Sequence, residues 1–472
     1  MRRFLLLPVL LLAAACGPGG DADHPNRTQT ADNWFKRARA SYRAGDIDDA
    51  STSIDGALKA SPKDDESRLL AARVALARLD YAAAIKVTEG LAGTDAKSLR
   101  GRAFWYSGDL EHAADELEDM LKDPQVKDPW ARDVAKLARR GQGRHPFAIE
   151  GSVVAAVEMP PAGPAMVVPC ELEGERILAL VDTAMGELMI DSSSRKDPAW
   201  VNLKFTDAKG QSVEVKDVPA LTFDLSAISR QLGATIKALI GVNTLRHMHA
   251  TFDRRGSQFV VRKNDPPAPP EGSRVPVFYV RGGGMMMRAA VSQKEDGAAP
   301  LFVDSSAFYP LALDEPMLKR AGADLTKFQA NPGIPPTWKV GEIPFFRLGP
   351  LDLPRLPTIH GAPLSDYKEK FDVDLGGVVG AGLLQAFRVT FAEDGRYLWM
   401  EIDPTVFEPG PQVAPQAGPN SAPPPPAPSA SPKGPQGPQL TPPPGMKPSP
   451  APAPAPKPDA PAPKSESKGP AK

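Results

Sequence analysis

Asp182 and Asp304 stand at matching places in the chain. Each closes an apolar run, ILALVD (177–182) and PLFVD (300–304). Each is followed by a hydroxyl residue and a small one, Thr183–Ala184 and Ser305–Ser306. Two carboxylates held a few ångströms apart cannot both ionise comfortably, so one keeps a proton while the other acts as base. Such a pair activates a water to attack a peptide carbonyl, and its titration belongs to the pair rather than to either residue. With water as nucleophile, no metal or organic cofactor is expected.

The match extends well beyond the acids. With Gly241 aligned on Gly380, Leu245 falls on Leu384, Thr251–Phe252 on Thr390–Phe391 and Gly256 on Gly395, without gaps. Val-Pro recurs upstream at 168–169 and 275–276, and the Pro-rich joint NDPPAPPEG (264–272) separates the halves. An apolar strand entering Asp-Thr/Ser-small, followed later by two apolar residues and Gly, resembles the pepsin-like and retropepsin-like aspartic proteases. The resemblance covers residues 150–405 and is carried by both halves.

It implies a mainly-β bilobal domain, with lobes at 147–263 and 275–408 and a linker at 264–274. It further implies that Asp182 and Asp304 form the dyad and that Thr183 and Ser305 interlock their loops. Leu239–Ile240–Gly241 and Val378–Val379–Gly380 would thread beside them, and a substrate-covering flap would lie near Asp207–Gly210. One departure matters. The family has Gly where this chain has Ala184 and Ser306, and a Cβ there adds bulk where backbone and substrate come closest. Two readings therefore stand: an aspartic endopeptidase, or a catalytically silent relative that binds peptides or envelope partners.

Other reactive types fit bland roles. His247 and His249 would share one face of a strand, but no third ligand accompanies them, so surface histidines are expected rather than a metal site. Met285–Met287 follows Gly282–Gly284 in an expected turn or hairpin and reads as packing. The glycines lack the strand-to-helix context and Lys of a phosphate loop. Ser192–Ser194 reads as a polar loop, and Cys170 as a buried, inert thiol among apolar neighbours.

Upstream, the pattern is helical. Trp34, Ala38, Gly45, Ile47, Ala50, Ile54, Ala57 and Pro62 begin a 34-residue spacing that recurs through Ala72, Tyr81, Ala84 and Leu91, then Gly101, Phe104, Gly108, Leu110, Ala113, Leu117 and Met120. This resembles the tetratricopeptide repeat, so a TPR-like all-α domain is expected over 31–142, capped by 128–140. The resemblance implies a groove for a protein partner, or one filled by the rest of the chain.

Residues 1–16, MRRFLLLPVLLLAAAC, carry two arginines, an apolar core and three alanines before Cys16. This signal peptide is too short to span a membrane and resembles that of bacterial lipoproteins, which implies lipidation of Cys16. Gly17 in place of Asp points to the outer membrane, facing the periplasm. A flexible tether is expected over 17–30, and a disordered Pro/Ala/Lys-rich tail over 409–472, with 23 prolines from 411 onward. The whole chain has 472 residues, 56 Lys+Arg and 57 Asp+Glu, for a net charge of −1. That balance argues against nucleic acid as a partner and leaves peptides and envelope components.

Overall fold

A computed structural model describes residues 27–293, 298–332 and 334–402. The lipoprotein-like signal with Cys16 and the Pro-rich tail lie outside them. Helices come first and a β-rich domain with barrel-like sheets follows.

The helices are α1 (Gln29–Arg43), α2 (Ile47–Ala60), α3 (Asp65–Ala77), α4 (Tyr81–Thr88), α5 (Thr94–Ser107), α6 (Leu110–Met120) and α7 (Pro129–Arg140). Local chemistry sets their starts. Thr28, Asp46, Asp64, Asp80, Asp109 and Asp128 each accept a hydrogen bond from the third residue of the helix that follows. Each cap satisfies an otherwise orphaned amide and contributes about 1 kcal/mol. Small residues bring neighbouring helices close: Ala38, Ala50, Ala57, Ala72, Ala84, Ala103 and Ala113 are fully buried. A Cβ on Gly101 would sit 2.6 Å from Leu117. The chain is anchored before α1, inside the stretch expected as tether. Arg27 is buried over Phe35 and bonds to Asp64 at 2.9 Å, Asp32 at 3.2 Å and Glu66 at 2.7 Å.

The first half of the β domain holds β1 (Ala148–Gly151), β2 (Val154–Glu158), β3 (Val167–Leu172), β4 (Glu175–Val181), β5 (Leu188–Asp191), β6 (Ala199–Thr206) and β7 (Ser212–Phe223). It continues through α8 (Ser226–Leu232), β8 (Ile236–Ile240), α9 (Val242–His247), β9 (Thr251–Asp253) and β10 (Gln258–Arg262). The second half holds β11 (Ser273–Val280), β12 (Gly284–Ala290), β13 (Ala299–Asp304), β14 (Leu311–Leu313), α10 (Glu315–Arg320), β15 (Lys339–Leu348) and β16 (Leu351–His360). It ends with α11 (Ser365–Phe371), β17 (Gly377–Gly380), α12 (Ala381–Leu384), β18 (Phe387–Ala392) and β19 (Tyr397–Ile402).

Among the described residues these strands form a seven-stranded sheet, β1-β7-β5-β8-β4-β3-β6, and a twelve-stranded one that both halves share. In the shared sheet the order β11-β19-β18-β9-β10-β2 reads as one half followed by its counterpart reversed. The halves meet where β9 runs antiparallel to β18, with Thr251 opposite Thr390 and their hydroxyls 2.7 Å apart. These two threonines are matched positions of the duplication, so an approximate twofold axis passes between them.

Helices and sheets pack directly on each other. Phe278, Val280 and Met286 from β11 and β12 share a core with Ala38, Tyr42, Ile54 and Leu70 from α1–α3. Met285, Met286 and Met287 are fully buried within β12, the second strand of the hairpin it forms with β11. Met285 and Met287 enter the main β core while Met286 faces the helices. A strand covered on both faces reads as continuously apolar, which is why alternation gave no sign of it.

Candidate active site

Asp182 and Asp304 occupy equivalent places. β4 runs parallel to β8 with Val181 beside Ile240, and Asp182 follows, its amide on the Ile240 carbonyl at 3.1 Å. β13 runs parallel to β17, with Asp304 beside Gly380. Gly241 and Gly380 are needed for close approach, since their φ values are ordinary. A Cβ at Gly241 would lie 2.1 Å from the Glu187 carbonyl oxygen, and one at Gly380 2.0 Å from that of Tyr309. Glu187 and Tyr309 each stand five residues beyond an aspartate, so both glycines clamp the same point of their loops.

The two loops hold each other by four reciprocal hydrogen bonds. Thr183 donates its hydroxyl to the Val303 carbonyl at 2.8 Å, and Ser305 donates its own to that of Val181 at 2.8 Å. The Thr183 amide donates to Ser305 Oγ and the Ser305 amide to Thr183 Oγ1, both at 3.0 Å. Both residues are fully buried, so every donor and acceptor in the ring depends on the opposite loop.

This ring brings the carboxylates into each other's field. Asp182 is 2% exposed and Asp304 6%. Burial, and then the neighbouring Asp304 charge, push Asp182 well above the usual carboxylate range. Ala184 and Ser306 each supply a backbone amide to their aspartate: Ala184 N donates to Asp182 Oδ1 and Ser306 N to Asp304 Oδ1, each at 2.9 Å. The extra Cβ at Ser306 carries a hydroxyl that also donates to Asp304 Oδ1, at 2.6 Å, and Ala307 N adds a third donor at 3.1 Å. Asp182 Oδ1 receives one such bond and Asp304 Oδ1 three, so the two acids are electrostatically unequal.

The raised Asp182 has a consequence for stability. The folded chain holds a proton there that the unfolded chain, titrating near the ordinary value of about 4, gives up. Unfolding therefore becomes easier as pH rises through that interval, and the penalty is complete above the folded value. Asp182→Asn keeps an oxygen for Ala184 N and cannot ionise. It is expected to gain on the order of 2 kcal/mol at pH 8 and nothing below pH 4, read by urea denaturation. Equal stabilisation at both pH values would contradict the assignment.

A pocket of about 230 Å³ opens on the Asp304 side, lined by Ser306, Tyr309, Trp338, Leu364 and Tyr367. The Tyr367 hydroxyl lies 3.4 Å from Asp304 Oδ2. Tyr309 shares the offset of Glu187 and was findable from the duplication. Trp338 and Tyr367 sit in segments of the second half with no such counterpart, and nothing in the sequence marked them.

Three expectations change. The turn at Asp207–Gly210 does not cover the site. Ala220 of β7 lies beside Leu188, near the dyad, and Ala199 of β6 pairs with it. The strands then run away: Lys204 pairs with Glu171 beside the β3–β4 turn, at the end of β4 opposite Asp182. Seven residues of strand carry the turn about 20 Å off. His247 and His249 are not on a strand. His247 ends α9, stacked 4.3 Å from Phe147, and burial holds it well below the usual imidazole range. His249 follows in a left-handed conformation (φ 43°), its Nδ1 3.4 Å from Asp265. Both are half-buried rather than surface residues, and among the described residues no group of three metal-binding side chains occurs. Cys170 is buried, its thiol pushed up to about 12 by desolvation.

The helices also reach the site. Glu187 is buried and accepts from the Tyr106 hydroxyl of α5 at 3.1 Å; burial raises its carboxyl. Gly186 and Gly283, from opposite halves, come into backbone contact beside Tyr106.

No protein-family model and no curated protein matches this chain. Among solved structures it is similar to basic 7S globulin from soybean, at 10% identity and a TM-score of 0.37, over 54% of this chain and 95% of that one. It is also similar to a retropepsin-like aspartic protease from Rickettsia conorii, at 18% identity and a TM-score of 0.21, over 29% of this chain and 94% of that one. Both likenesses are distant, and the chemistry of the site rests on its own geometry.

Proposed function

We propose that this chain is an exported aspartic endopeptidase, with Asp182 and Asp304 as its dyad. The observation that carries the reading is the ring of four hydrogen bonds through Thr183 and Ser305, which fixes two buried acids with unequal surroundings. In this mechanism Asp182 holds the shared proton and Asp304, cradled by three donors, acts as base toward a water between them. Ser306 and Ala184 leave the amide contacts in place, so the missing glycines are compatible with catalysis. The test is cleavage of a random peptide library at acid and neutral pH by wild type and Asp304→Asn.

One observation favours a second reading, a silent peptide-binding relative. No long β-hairpin leaves the chain between β5 and β6, where only residues 192–198 intervene, so the first half brings no flap to exclude water. Absence of cleavage by wild type would leave this reading.

The helical region is proposed as a short tetratricopeptide-like array. Three successive helix pairs and the 34-residue spacing support it. Cys16 is proposed to carry a lipid that holds the protein in the cell envelope, at the outer membrane. Cys16→Ser is expected to move the protein from the membrane to the soluble fraction; persistence in the membrane fraction would refute the anchor.

A further inference from the structure

The helices carry two tyrosines to the loop that follows Asp182. Tyr106, in the last turn of α5, sits in a slot made by three glycines. A Cβ on Gly282 would lie 2.5 Å from its ring, and one on Gly283 or Gly186 would lie 3.4 or 3.7 Å from its hydroxyl. Gly186 belongs to the first half and Gly282–Gly283 to the second, so the ring fills the seam between the halves. Gly282 and Gly283 therefore serve close approach.

The Tyr106 hydroxyl donates to Glu187 at 3.1 Å. Glu187 is 5% exposed, and the Trp105 and Trp130 indoles and the Arg102 guanidinium face the same carboxyl. Tyr81, at the start of α4, stands 5.9 Å from Tyr106 ring to ring and accepts from the buried Arg246 at 2.9 Å. Arg246 also donates to Asn243 Oδ1 at 3.0 Å. Both residues belong to α9, whose first amides hold the same loop: Val242 N donates to the Met185 carbonyl at 2.8 Å and Asn243 N to that of Gly186 at 2.9 Å.

The way Asp182 is held makes these contacts matter. Its Oδ1 accepts from Ala184 N, at 2.9 Å, whereas Asp304 Oδ1 draws three donors from its own loop. Ala184 lies between Thr183, fixed by the interlocked ring, and residues 185–187, fixed by α9 and Tyr106. A slip at Glu187 is therefore passed to the amide that orients Asp182, and a misplacement of about 1 Å at a reacting group costs up to about 10²-fold in rate.

We infer that Tyr106 is a positioning residue for Asp182: acting through Glu187, it fixes the loop whose Ala184 amide orients that carboxylate. The helical region is then a working part of the site rather than a separate module. The inference rests on the proposed dyad and extends it to the helices.

The test is Tyr106→Phe on the full chain, which keeps the ring in its slot and removes the donor to Glu187. On a cleaved peptide kcat is expected to fall about tenfold while KM stays within about twofold. Ile54→Val, a core truncation in α2, is the control: it lowers stability and should leave kcat unchanged. Glu187→Gln still accepts from Tyr106 and should keep most of kcat, whereas Glu187→Leu should lose as much as Tyr106→Phe. Combining Tyr106→Phe with Glu187→Leu should cost less than about twofold more, because the two act as one unit. A second readout needs no turnover. With aspartate carboxyls labelled with 13C, and the Asp182 signal assigned by its loss in Asp182→Asn, its titration midpoint is followed in wild type and Tyr106→Phe. It should move toward the ordinary carboxylate range by about half a pH unit or more, because a loosened loop admits water and relieves the burial that raises it. A Tyr106→Phe kcat within about twofold of wild type, or a loss matched by Ile54→Val, overturns the inference. If wild type cleaves no peptide, the endopeptidase reading fails and the titration decides alone: a shifted midpoint upholds the positioning role, and an unshifted one overturns it.

Discussion

Asp304→Asn is expected to lower peptide hydrolysis by about 10³-fold or more, with the fold unchanged. The side chain is nearly isosteric, and its oxygen can still accept from Ser306 N, Ser306 Oγ and Ala307 N, which hold Asp304 Oδ1 at 2.9, 2.6 and 3.1 Å. What is lost is the charge that takes a proton from water. Because burial and the Asp304 charge push Asp182 upward, the pair keeps its single proton toward neutral pH. Wild-type activity should therefore extend from acid toward neutral conditions and fall once that proton leaves. Activity indistinguishable between wild type and variant, measured on purified protein with matched thermal melts, would sink the dyad.

The second large effect concerns the interlocked loops. Thr183→Val keeps the shape but removes the donor to the Val303 carbonyl and the acceptor for the Ser305 amide, at 2.8 and 3.0 Å in a fully buried setting. Each stranded polar group costs about 1–3 kcal/mol, so a loss of about 2–4 kcal/mol is expected by urea denaturation at constant pH. Ser305→Ala should cost a similar amount, since it breaks the mirror-image pair with Val181 and Thr183. The double variant should cost less than the sum, by about 1 kcal/mol or more, because the four bonds form one closed ring. Strict additivity, or single losses under about 0.5 kcal/mol, would mean the ring is not cooperative.

The duplication made much of the site legible. It matched Gly241 to Gly380, and at each a Cβ would meet a carbonyl oxygen five residues past its aspartate. Thr251 and Thr390 were aligned as equivalents and face each other at the junction of the halves. Such positions are legible because each half must satisfy the same backbone constraint, and that constraint leaves the same residue type twice. The turn at Asp207–Gly210 shows the opposite case. Its residues announce a hairpin, yet which end of the sheet that hairpin occupies depends on strand register. Register is a relation between distant segments, and no local pattern contains it.

The histidines were misread for a related reason. Spacing of two suggests one face of a strand, but Gly241 starts a helix that ends at His247. The period was decided by the chain's entry beside Asp182, not by the histidines. Tyr367 and Trp338 escaped notice because each belongs to one half alone. Phe278, Val280 and Met286 read as ordinary strand residues, and nothing local says that their outer face is covered by α1–α3.

The sequence by itself determined the helical and β-rich regions, the two acids, their hydroxyl neighbours and the glycines behind them, because each of these is a local demand written at short range and written twice. The tertiary structure alone decided which turn lies away from the site, how the carboxylates come to differ, and that the helices pack on the β domain and reach Glu187 through Tyr106. Those properties arise from contacts between segments tens to hundreds of residues apart. Burial and mutual field, not residue type, set them.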